Sequence, residues 1–95
     1  MALRKPVPNA VYAKMKHDGV TLHELRIYDK NGNPIIEIAY HPEPTINNGD
    51  RQTNIVHFHT FNRLTRNDAQ RMDKNPEVKE KYAEYLKEFN LYDKC

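Results

Sequence analysis

The sequence predicts an α+β fold, a small three-stranded antiparallel sheet (a β-hairpin plus a third strand) packed against C-terminal helices. Three observations carry this expectation. An Asn31-Gly32 pair separates two runs rich in alternating apolar residues, which marks a tight hairpin. A further β-branched and aromatic run, TNIVHFHTF, follows a polar loop. From Pro76 onward, apolar side chains recur at helical spacing.

At 95 residues the chain makes one domain at most. Its hydrophobic fraction of 38% is lean, and Trp is absent, so the core is small and built from Tyr, Phe, Leu, Ile and Val. A stability of a few kcal/mol, of the order small domains reach, follows from size, and a partner or a homodimer would add to it. The formal charge is +2, with 15 basic and 13 acidic residues. That balance does not favour a dedicated nucleic-acid binder, although Arg63, Arg66, Arg71 and Lys74 form a local basic run. The sole cysteine, Cys95, has no partner for an internal disulfide and fits a reducing compartment. No apolar run approaches a membrane span and no signal-peptide core stands near Met1, so the expected location is the cytoplasm of the cell that makes it.

Residues 1–9, MALRKPVPN, read as an extended arm because of their two prolines, and 10–95 as a single α+β domain. The segment AVYAKMKH, Ala10 to His17, reads as a strand or as one or two helical turns, broken by Asp18-Gly19. The hairpin follows. A two-residue type I′ turn at Asn31-Gly32 would pair Tyr28 with Ile35, Ile27 with Ile36, Arg26 with Glu37, Leu25 with Ile38 and His23 with Tyr40. One face then carries Leu25, Ile27, Ile36, Ile38 and Tyr40, and the other Glu24, Arg26, Glu37 and His41. Pro42 and Pro44 end the second strand, and Thr45 to Gln52 read as an exposed loop. The third strand has apolar residues on both faces, as a central or doubly covered strand does. Thr65 and Asp68 resemble a capping box opening a short helix to about Asp73. Asn75-Pro76-Glu77 starts a second helix, whose stripe is Val78, Tyr82, Tyr85, Leu86 and Phe89 and whose terminator is Asn90.

Chemistry is confined to the polar side of the sheet. If Val56 and Phe58 face the helix, His57 and His59 face away from it, beside His41, Glu37 and Glu24. Three histidines and two carboxylates on one open surface suit zinc or manganese, and a His pair also suits acid–base cleavage of a phosphodiester. The plainer reading is a solvent-facing His-x-His on a half-exposed sheet. His23 falls on the apolar face by parity and reads as a hydrogen-bonded core residue. Other chemistries drop out. Gly19, Gly32 and Gly49 all read as turns, leaving no phosphate-binding glycine loop, and the chain has no Ser and no H-E-x-x-H.

The hairpin with its Tyr28, Asp29, Asn31 and Gly32, then His41, then His57 and His59, resembles a small module of temperate phages of Gram-positive bacteria. That module occurs near head-morphogenesis genes and at the C-termini of phage minor-head proteins and polymorphic toxins. The likeness covers residues 22–61. It departs at PEPTINNGDRQ, where the module often has a His-Gly segment. The resemblance, the small size and the balanced charge together favour a phage-encoded accessory protein. Such a protein would be non-catalytic and would bind a protein partner, of phage or host, in virion assembly or in inhibition of a host defence system. Tyr12, Tyr28 and Tyr92, which the core does not need, would supply contact area, and a virion-associated location fits as well. This reading needs no cofactor. The alternative is a His-dependent nuclease or metal-binding toxin-like domain that uses His41, His57 and His59 with zinc or manganese. Neither reading involves a membrane.

Overall fold

The computed structural model describes residues 9–95. The expected N-terminal arm lies outside the described residues but for Asn9, whose amide donates to the Asp29 carbonyl at 2.8 Å. The architecture is α+β. Strands β1 (Val11–Met15), β2 (Leu22–Tyr28), β3 (Pro34–His41) and β4 (Ile55–Asn62) form an antiparallel meander. Two short strands, β5 (Thr65–Arg66) and β6 (Gln70–Arg71), divide the outer edge of β4 between them. Among the described residues the sheet therefore has six strands rather than three. The segment left open between strand and helix is strand β1, which supplies one added edge.

The hairpin register holds through its middle: Leu25 faces Ile38, Arg26 faces Glu37 and Ile27 faces Ile36. Near the turn it departs from the type I′ expectation. Tyr28 pairs with Pro34, leaving Ile35 as an extra residue, and only Gly32 of the Asn-Gly pair has positive φ, at 78°. The Asp29 carboxylate accepts from the amides of Asn31 and Asn33, and the Asp29 carbonyl from the Gly32 amide. This is a longer loop closed by a glycine in the left-handed region. Gly32→Val is expected to destabilise by about 1 kcal/mol or more, because a β-branched residue is strained at that φ. An unchanged urea midpoint would contradict this role for the glycine.

Residues 65–71 are not the short helix that Thr65 and Asp68 suggest. The backbone groups of β4 would otherwise be unpaired on that side. The chain turns at Arg63, with φ of 59°, and uses Thr65–Arg66 and Gln70–Arg71 to satisfy them. A 3₁₀ turn, Met72–Lys74, leads into α1 (Pro76–Lys81) and α2 (Ala83–Glu88), which meet at Tyr82. Asn75 stands at the N-cap position, but its side-chain amide donates to the Arg71 carbonyl and not across the helix start. Asn90, with φ of 60°, ends α2. The Leu91 amide reaches back to the Leu86 carbonyl and the Asn90 amide to that of Lys87, which is the Schellman pattern.

The core lies between the sheet and this helical segment. Leu22, Leu25, Ile27, Ile36, Ile38, Val56 and Phe58 meet Met72, Leu86 and Leu91, all buried. Val78, Tyr82, Tyr85 and Phe89 pack at its margin, and so does Tyr92, which the sequence had left to the surface. No helix among the described residues is long and apolar enough to cross a membrane.

Candidate metal centre

The face of the sheet away from the helices carries a row of four imidazoles. His23 stacks on His41 with ring centroids 4.7 Å apart, His41 meets His57 edge-on at 4.7 Å, and His57 meets His59 at 5.7 Å. Strand parity places three of them. His41, His57 and His59 alternate with the core residues Tyr40, Val56 and Phe58. His57 lies opposite Ala39, whose small side chain leaves room between Glu37 and His41. His23 joins the row through a bulge. Lys14 pairs with Glu24 and Met15 with Leu22, so His23 is the extra residue and leaves the apolar face. It is partly exposed and not a core histidine; its Nε2 lies 3.8 Å from Glu24.

The surface expected to be open is covered. His57 is fully buried and His59 is 7% exposed. The lid is the loop after β3, read from sequence as merely exposed. Arg71, beside His57 in the register, reaches across to donate to the Asn47 side chain at 3.1 Å and to the Ile46 carbonyl at 3.4 Å. Asp73 holds the other side of that guanidinium through two hydrogen bonds. Under this loop, Pro42 and Pro44 flank Glu43, and the following proline disfavours the helical region for it; its backbone has φ of −138° and ψ of 85°.

Glu43, His57 and His59 come together there. Their ligand-capable atoms lie within 4.8 Å of one another. The tautomers are set by the backbone. His57 Nδ1 bonds the Ile55 carbonyl at 2.9 Å and His59 Nδ1 bonds the Asn67 carbonyl at 2.8 Å. A carbonyl only accepts, so each Nδ1 carries the proton and each Nε2 presents a lone pair. His57 Nε2 is buried and has no hydrogen-bond partner among the described residues. Burial lowers the His57 pKa below its ordinary value, an effect the Ile55 carbonyl opposes and His41 and His59 reinforce. The ring is thus held in the neutral, ligand-competent form. This His/Glu cluster can hold a metal ion. His41, bonded through Nδ1 to the Pro42 carbonyl, touches His57 but stands outside the cluster.

The other residues read as binding candidates have different work. Glu37 is buried and bridges Arg26 at 2.6 Å and Arg66 at 2.9 Å. Burial alone would raise its pKa. The hydrogen bonds from Arg26 and Arg66 more than reverse this and bring it down to about 2. Glu24 flanks this group. Glu37 therefore ties β2, β3 and β5 together beside the centre.

Because its folded pKa lies below the ordinary 4.5, the Glu37 carboxylate stabilises the fold above that pH, and the contribution fades as pH falls toward about 2. Both arginines are partly exposed, so the effect is expected to be on the order of 2 kcal/mol. Urea unfolding of the protein and of Glu37→Gln should differ by this amount near neutral pH and converge in acid. A pH-independent difference would contradict it.

Glu43 was missed in the sequence because flanking prolines read as strand terminators. The parity of residues 37, 39, 41 and 43 was the available signal, since it assigns Glu43 to the histidine side. A cleft opens beside the centre, lined by Glu43, Thr45, His59, Arg66 and Asp68 among others. No family model matches this chain, and no curated protein and no solved structure matches it.

Proposed function

We propose that this protein is a divalent-metal-binding domain in which Glu43, His57 and His59 hold zinc or manganese. One observation carries the reading: His57 Nε2 is fully buried without a hydrogen-bond partner among the described residues, beside Glu43 and His59. An unsatisfied buried polar atom costs about 1–3 kcal/mol, and a bound cation removes that cost. The carbonyl bonds at both Nδ1 atoms are the outer-shell support that orients ligating imidazoles. Three protein ligands leave a coordination position for water or substrate, the pattern of catalytic rather than structural zinc. That position would face the Arg66 cleft. The chemistry a metal supplies in such a site is activation of a bound water for hydrolysis.

Added zinc is expected to raise the melting temperature with one-to-one stoichiometry. At a hundredfold excess over Kd the stabilisation should be about 2.7 kcal/mol. Glu43→Gln should weaken binding at least tenfold, and His57→Gln with His59→Gln should abolish it while the metal-free fold persists. No zinc dependence in the unaltered protein would sink the proposal. Incubation with labelled RNA and DNA, with and without zinc or manganese, separates a nuclease from a non-hydrolytic metal protein.

A further inference from the structure

On the far side of His41 from the metal centre lies a separate cleft of about 620 Å³, formed by Lys14, Lys16, His17, His23 and His41 with Met15 and Pro42. The formal charge of the chain is nearly balanced, but this wall is not: it carries two lysines and three histidines, and among the described residues no carboxylate lines it. Two acids stand close by. Glu24 lies 3.8 Å from His23 Nε2. Asp18 accepts from the amides of Val20 and Thr21 and from the Thr21 hydroxyl, so its carboxylate oxygens are engaged within its own turn. The Lys16 ammonium sits 4.8 Å from the Tyr40 ring centroid, which anchors that side chain.

The arrangement comes from the β1–β2 bulge. Without the extra residue, His23 would point into the core. With it, His23 lies flat against His41 and completes the basic wall. Lysine ammonium groups beside one opening suit the oxygens of a phosphate group. A flat, partly exposed imidazole pair beside them is a surface on which a nucleobase stacks.

We infer that this cleft binds a phosphate-bearing anion, supplied either by a free nucleotide or by the backbone of a single-stranded nucleic acid. The site is independent of metal at Glu43, His57 and His59, although His41 walls the cleft and touches His57.

The test is an amide-resonance titration of the full chain, stripped of metal and dialysed free of chelator, so that binding at the metal centre cannot imitate binding here. The probes are AMP and a short oligothymidylate. Saturable shifts are expected at residues 14–17, 23 and 41, weakening as salt rises. Lys14→Gln with Lys16→Gln should reduce affinity at least tenfold, and His17→Gln with His23→Gln gives a second, independent loss. Equal affinity for both probes assigns the site to a nucleotide, and much tighter binding of the oligomer assigns it to a nucleic-acid strand. Absence of shifts with either probe, shifts undiminished in both double variants, or shifts confined to the Arg66 cleft would each overturn the inference.

Discussion

Deleting Pro76 to Cys95 is expected to leave an insoluble or molten chain. The segment supplies Leu86 and Leu91, both buried, and Val78, Tyr82, Tyr85, Phe89 and Tyr92 at the core margin. Each fully buried apolar side chain contributes about 1.5–3 kcal/mol, so the two leucines alone are worth about 3–6 kcal/mol, comparable to the few kcal/mol that hold a domain of this size folded. The sheet would also keep an exposed face of Leu25, Ile27, Ile36, Ile38 and Phe58. Such a patch drives association. Sharp, dispersed amide resonances from the truncated chain would show that the helical segment is dispensable.

Phe58→Ala should lower stability by about 3–5 kcal/mol, the range for aromatic truncation in a core. Phe58 is 1% exposed and lies opposite Ile38 on the helix-facing side. The same strand presents His57 and His59 to the other side, so this variant also probes the metal centre. Saturating zinc should restore about 2.7–4.1 kcal/mol, because a ligand bound only by the folded state stabilises by its concentration relative to Kd. Chemical denaturation with and without zinc measures both quantities. A loss under 1 kcal/mol would place Phe58 outside the core, and no recovery with zinc would separate β4 from metal binding.

The legible parts of the fold were those set by local pattern. The alternation through Leu25, Ile27, Ile36 and Ile38, and the opposition of Arg26 to Glu37, came directly from strand parity. So did the placement of His57 beside His41. The C-terminal segment was legible for a similar reason, since Pro76 and Asn90 mark its ends. What stayed hidden depended on long-range needs. Thr65–Arg66 and Gln70–Arg71 became strands because the edge of β4 required partners, and no local signal encodes that. His23 changed faces through one bulged residue, which inverts any parity argument beyond it. The covering of His57 depends on Arg71 reaching Asn47, a contact between residues far apart in sequence.

The candidate centre divides in the same way. His57 and His59 were visible as a pair on one strand. Glu43 became their partner only when the loop folded back over the sheet. Glu37, the carboxylate that parity placed nearest, is instead consumed by two arginines. A carboxylate held by two guanidinium groups is a poor metal ligand, since its lone pairs are already engaged.

X-ray absorption of the zinc-loaded protein reads the coordination shell itself. The arrangement described here requires two imidazole nitrogens and one carboxylate oxygen at about 2.0–2.2 Å, with one imidazole lost in His57→Gln and one oxygen lost in Glu43→Asn. A shell of water oxygens alone, or one unchanged in both variants, would show that Glu43, His57 and His59 do not form a metal centre.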